Sequence, residues 1–160
     1  MSQYRLVAQL DEWGCGIACI ASLLDISYED AYWLARREKG DSIAGGSPGT
    51  ELHHIAMILQ EMGIHVFADW QEADDFPAGT ILFVEGPEPY DGGHYILRTH
   101  KGWMDPWANI RNADEARKAK IIKGYPAGTK FSVALVPKSG CQFIQADTAA
   151  RRALTQGWAA

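Results

Sequence analysis

Hydrophobic positions change their period partway along the chain. From Ile17 to Leu24 the residues are apolar except for Ser22, which predicts a helix buried on every side. Asp25-Ile26-Ser27 breaks that run, and Ser27 with Asp30 three positions on has the form of a capping box, so a second helix is predicted from Tyr28 to Lys39, ending at Gly40. Ala31, Tyr32, Leu34 and Ala35 would give it a partly buried face, with Arg36 to Lys39 as a solvated end. Ile43 to Gly49, with three glycines and Pro48, reads as a surface loop. Thr50-Glu51 then opens a third helix whose stripe is Leu52, Ile55, Ala56, Leu59 and Met62, closed by Gly63. His53 and His54 lie off that stripe and are expected to be exposed.

Beyond Gly63 the pattern shortens to strands. Ile64 to Ala68 begins to alternate, Phe76-Pro77-Ala78-Gly79 has turn chemistry, and Thr80 to Val84 is an apolar run suited to a central strand. His94 to Leu97 and Trp103 to Asp105 form a predicted hairpin around Thr99-His100-Lys101-Gly102, with Pro106 stopping the second strand. Ala113 to Lys120 suggests a short helix, Pro126 to Gly128 a turn, and Phe131 to Val136 a last strand. Helices first and strands after indicate an α+β fold, N-terminal helices packed on a C-terminal antiparallel β-sheet. The domain is placed at 1–137. Residues 138–160 form a tail, linker-like at first and helical near Leu154 and Trp158, which docks on the body, contacts a partner or frays.

Composition narrows the classes. At 160 residues, 47% apolar and 22% charged, one core is affordable and two are not. The net charge of −5, without a basic run, argues against nucleic acid as a partner. Asp11 and Glu12 interrupt the place where a signal sequence would be apolar, and no stretch is long enough to span a membrane, so a cytoplasmic location is expected, with delivery to other cells by a specialised route left open. Three cysteines, two of them only four positions apart, suggest no disulfide framework. The spacing of thiols with His53, His54 or His65 fits no zinc finger, and neither metal nor cofactor is expected.

Candidate chemistry begins at Cys15, between Gly14 and Gly16 at the first turn of the buried helix. Unpaired N–H groups and the positive end of the helix dipole favour a thiolate there. The flanking glycines would let a substrate backbone approach, and Gln9, six positions earlier, could offer its amide to a developing oxyanion beside the Cys15 N–H. The plainer reading makes Cys15 and Cys19 two small core residues on one helix face. His94 and Asp105 share a face of the hairpin if its loop is even. A four-residue loop, Arg98 to Lys101, sets them directly opposite; a tight Lys101-Gly102 turn sets Asp105 against Arg98, too far away. Only the first of these registers lets the carboxylate hold the ring while the ring takes the thiol proton. Trp13, Trp103 and Trp107 are candidates to line a cleft.

Gln9 with Cys15-Gly16-x-Ala18-Cys19, then Gly93-His94-Tyr95 and Asp105-Pro106, resembles the bacteriocin-processing, double-glycine leader branch of the papain-like cysteine peptidases. The resemblance implies a papain-like fold with Cys15 as nucleophile, His94 as base, Asp105 as its orienter and Gln9 as oxyanion donor. Gly14, Gly16, Gly93 and Trp13 are the residues expected against a peptide or protein substrate. Members of that branch cut after a Gly-Gly pair, often as the first domain of a membrane exporter, whereas this sequence carries neither transporter helices nor a nucleotide-binding motif. Three readings stay open: a cysteine hydrolase of peptide or isopeptide bonds, a deamidase or acyl-transferring effector using the same acyl-enzyme, and a non-catalytic peptide-binding module.

Overall fold

The computed structural model describes residues 4–39, 50–112 and 114–138. Three helices come first: α1 (Cys15–Leu24), α2 (Tyr28–Lys39) and α3 (Leu52–Glu61). Six strands follow: β1 (Val66–Asp69), β2 (Ile81–Glu85), β3 (His94–Thr99), β4 (Gly102–Asp105), β5 (Lys120–Ile122) and β6 (Lys130–Pro137). They form one sheet in the order β1-β6-β2-β3-β4-β5, antiparallel at every pairing. The α+β architecture read from the order of elements is the one observed. The predicted loop at 43–49 and the tail from 139 onward lie outside the described residues. Among the described residues, no helix is long and apolar enough to cross a membrane.

Every residue of α1 from Gly16 to Leu24 is buried, as its all-round apolar run requires. Asp25 ends the helix in the left-handed region (φ 55°), and its N–H returns to the Ser22 carbonyl. At the start of α2 the Ser27 hydroxyl accepts the Asp30 N–H at 3.0 Å, the cap that the sequence announces. Ile55, Ile58 and Leu59 bury the inner face of α3, and Gly63 follows at φ 85°.

Strand alternation sorts the sheet into two faces. Ile81, Tyr95, Leu97, Met104 and Leu135 pack with the three helices in one cluster. Leu82, Val84, Ile96, Trp103, Ala134 and Val136 form a second cluster on the reverse face, joined by Phe76, Tyr125 and Phe131. Trp103 therefore belongs to the reverse core, not to a cleft beside Cys15.

Two expectations for the sheet are corrected. The β3–β4 hairpin turns on His100-Lys101 alone, pairing Thr99 with Gly102 and Leu97 with Met104. Neither predicted register is the observed one, because Thr99 Oγ1 accepts the Lys101 N–H and donates to the Gly102 carbonyl, which sets a two-residue turn one position before Lys101-Gly102. The helix predicted over Ala113 to Lys120 is also absent from its described residues. Asn109 donates from Nδ2 to the Ala116 carbonyl and accepts the Lys118 N–H at Oδ1, so that segment bonds to a loop instead of to itself and leads into β5.

Candidate active site

The site forms where the start of α1 meets the first residue of β3 and the last of β4. Alternation puts His94 and Asp105 on the face of Ile96 and Trp103. Carried one step past Leu97–Met104, the register sets Asp105 beside Ile96, diagonal to His94. The even turn preserved their shared face, and a diagonal pair is within reach of a histidine ring. His94 Nε2 lies 2.7 Å from Asp105 Oδ1, with both side chains almost fully buried. Asp105 Oδ1 also accepts the Trp107 N–H at 3.0 Å, which fixes the carboxylate.

The Cys15 side chain is the other group that acts on the imidazole, raising its pKa through hydrogen bonding and charge. Since Nε2 is committed to Asp105, the ring presents Nδ1 to the sulfur. Burial alone would push the His94 pKa down, but hydrogen bonds to Asp105 and Cys15, and the negative charges of both, outweigh it and raise it to about 10. Both partners therefore favour the imidazolium form of the ring. Tyr90 packs against it at 5.6 Å between ring centroids.

Cys15 is half-buried at the first helical position, with Gly14 as N-cap and no side-chain cap. The Cys15 N–H is among those a helix leaves unpaired at its start. Cys19, one turn later, is fully buried in the core, and burial, then the charges of Cys15 and Asp105, push its thiol well up. The two cysteines thus divide between the site and the core.

Gln9 is buried to 1% exposure and tied to the end of β4 by its own N–H, which donates to the Pro106 carbonyl at 3.2 Å. Its amide Nε2 donates to the carbonyls of Asp11 and Glu12, each at 2.9 Å. Both donors are committed, so the residue braces the loop leading to Cys15. Tyr28 completes that brace by donating to Asp11 Oδ2 at 2.7 Å, while Asp11 Oδ1 accepts the Trp13 N–H.

The expected substrate contacts divide. Cys15 opens into a cleft of about 540 Å³ whose walls include Trp13 and Gly93. Gly14 and Gly16 are buried instead: a side chain on Gly14 would strike the Tyr28 hydroxyl, and one on Gly16 would press on Ile55 and Tyr95 at 3.2 Å. Their small size serves packing around the helix start. Trp107 is not on the cleft wall either; its ring packs under Arg117 at 4.7 Å.

Several cleft residues escaped the sequence reading: Trp70, Phe83, Tyr95, Thr50, Glu51 and Gly92. Phe83 and Tyr95 were within reach of it, because they pair across β2 and β3 on the helix-facing side. Trp70, 69% exposed just after β1, had no such signal. His54 corrects another expectation, being half-buried, with its ring 4.0 Å from that of His53.

No protein-family profile and no curated protein matches the sequence. Among solved structures the chain is similar to the peptidase domain of Streptococcus ComA, a bi-functional ABC transporter involved in a quorum-sensing pathway, over 84% of this chain and 99% of that one, at 17% identity and a TM-score of 0.55. At that identity the likeness shows the fold alone: the chain shares with that domain an α+β architecture, helices first and then an antiparallel sheet.

Proposed function

We propose that the protein is a cysteine hydrolase that cleaves a peptide or isopeptide bond through an acyl-enzyme. The observation that carries this reading is the buried His94, bonded at Nε2 to Asp105 and electrostatically coupled to Cys15, which opens into a cleft.

In this reading the Cys15 sulfur, paired with the His94 imidazolium, attacks the carbonyl carbon of the substrate. The electron pair displaced to oxygen is met by the Cys15 N–H at the positive end of α1. Gln9 adds its amide by exchanging one of its two carbonyl bonds for the oxyanion. His94 then donates its proton to the departing amine, leaving a thioester on Cys15. Water enters the vacated position, neutral His94 takes its proton, and the hydroxide displaces the sulfur to release the acid. Asp105 keeps Nε2 protonated throughout, so that Nδ1 always faces the sulfur. The apolar walls of the cleft, with Trp13, Trp70 and Phe83, suit an extended peptide better than a small polar amide.

An electrophilic peptide probe tests the reading. Wild-type protein should label at Cys15, Cys15→Ala should not label there, and His94→Ala should label slower by about 10² or more. Equal labelling of all three would overturn it. With a cleaved substrate in hand, mass spectrometry of the products distinguishes a hydrolysed backbone from a deamidated glutamine or a transferred acyl group.

A further inference from the structure

A second cluster of chemistry-bearing side chains stands at the start of α3, apart from Cys15 and His94. We infer that Glu51, His53 and His54 form a site for a divalent transition-metal ion, zinc by its donor set, at the rim of the cleft. Glu51 is the N-cap of α3, its backbone extended at φ −78° and ψ 154°, and the two histidines follow within the first turn. The three side chains thus come from a four-residue span, Glu51 to His54. One donor atom from each residue lies within 4.8 Å of the other two, and Glu51 Oε2 is already 3.4 Å from His53 Nδ1. The two imidazole rings stand 4.0 Å apart at 40° to one another.

Imidazole nitrogen with one carboxylate oxygen is a donor set that suits zinc, and three protein ligands leave its fourth position to water. Bonds of about 2 Å in tetrahedral geometry space the donors by about 3.3 Å. Closing from the observed separations is within reach of side-chain rotation by Glu51 and His53, 51% and 64% exposed, toward the half-buried His54. The charge arithmetic is also consistent. The N-terminus of α3 disfavours a cation, and Glu51 supplies the negative charge that offsets it. The same opposition makes the site reversible in character, unlike a closed four-ligand structural site. Finger spacing in the sequence is blind to such a site, because its ligands come from one helix start and not from two separated pairs. Glu51 is also on the wall of the cleft, so an ion held there stands beside the approach to Cys15.

Titration calorimetry of the full chain with zinc chloride tests this, in a Cys15→Ala background so that the cleft thiol cannot contribute. The expected result is one zinc per chain, with His53→Ala and Glu51→Gln each weakening binding by about tenfold or more, and His65→Ala and His100→Ala leaving it unchanged. Cobalt(II) in place of zinc should give the visible absorption of a tetrahedral ion, lost in the same two variants. His54→Ala joins the series if its circular dichroism melt matches the parent. Absence of binding, or binding equal in every variant, would overturn the proposal, and neither result bears on whether Cys15 is a nucleophile.

Discussion

Asp105 accepts two hydrogen bonds on one oxygen and has almost no contact with solvent, so its charge is spent on His94. Exchanging Asp105 for Asn keeps an oxygen in place for both donors but removes the charge. The ring should keep its orientation and lose much of its hold on the proton. Asp105→Asn is expected to slow probe labelling by about 10- to 100-fold, and Asp105→Ala, which also loses the orientation, by about 10² to 10⁴. The same pair sets a pH dependence of folding. The His94 pKa is raised from an unfolded value near 6.5 to about 10, so its contribution is fully present below pH 6.5 and is lost as pH rises through 10. Urea titrations between pH 7 and pH 10 should show wild type losing stability across that window, on the order of a few kcal/mol, with a flatter slope for Asp105→Asn. At this scale Cys15, His94 and Asp105 were legible because each carries unusual chemistry at a marked position. The burial of Gly14 and Gly16 was not legible, since it depends on Tyr28, Ile55 and Tyr95, which reach them only through the fold.

At the level of elements, the hairpin shows what a pattern of alternation can and cannot specify. Parity put His94 and Asp105 on one face under any even turn, and that survived. The register did not, because it hangs on the Thr99 side chain closing a two-residue turn, a local hydrogen bond with no counterpart in hydrophobic period. The missing helix before β5 has a similar cause in the Asn109 side chain. Gly93 is where β3 is aimed at the site. Its φ of 81° disfavours any residue with a Cβ, and a Cβ there would overlap the Phe83 ring at 1.9 Å. Phe83 packs against Tyr95 at 4.8 Å between centroids, so it can yield only toward the cleft, at the cost of that contact. Gly93→Ala is expected to cost about 2–4 kcal/mol from strain and overlap together, read as a lower urea midpoint. Gly92→Ala, which meets Trp13 only at 3.0 Å on an exposed loop, should cost well under half as much and act mainly on the cleft.

Across the whole molecule, the sulfur belongs to the helical layer and the imidazole and carboxylate belong to the sheet, so their alignment is a property of how closely the two layers meet. The order of helices and strands was enough to foresee those layers, but the distance between them is set by side chains along the seam. Gly16 lies at that seam, 3.2 Å in projected Cβ contact from both Ile55 of α3 and Tyr95 of β3. Alanine there would have to push α1 outward by a few tenths of an ångström. Overpacking of this kind costs about 1–3 kcal/mol, and the better helix propensity of alanine returns up to about 1 kcal/mol. The net loss of stability should therefore resemble that of Ile20→Val, about 0.5–1.5 kcal/mol, at a residue that is fully buried in the same helix one turn further from the site. The two variants differ in what they do to Cys15. Ile20→Val leaves a small void behind the helix without displacing its first turn, whereas Gly16→Ala moves the sulfur relative to His94. Matched for stability by urea titration, Gly16→Ala should label with the peptide probe about 3- to 10-fold slower than Ile20→Val, since a full ångström of misplacement costs about 10² in rate and this shift is a few tenths. Equal labelling of the two would mean that the layers tolerate a shift at the seam, and that the alignment of Cys15 with His94 is governed by the braced loop of Gln9, Asp11 and Tyr28 instead.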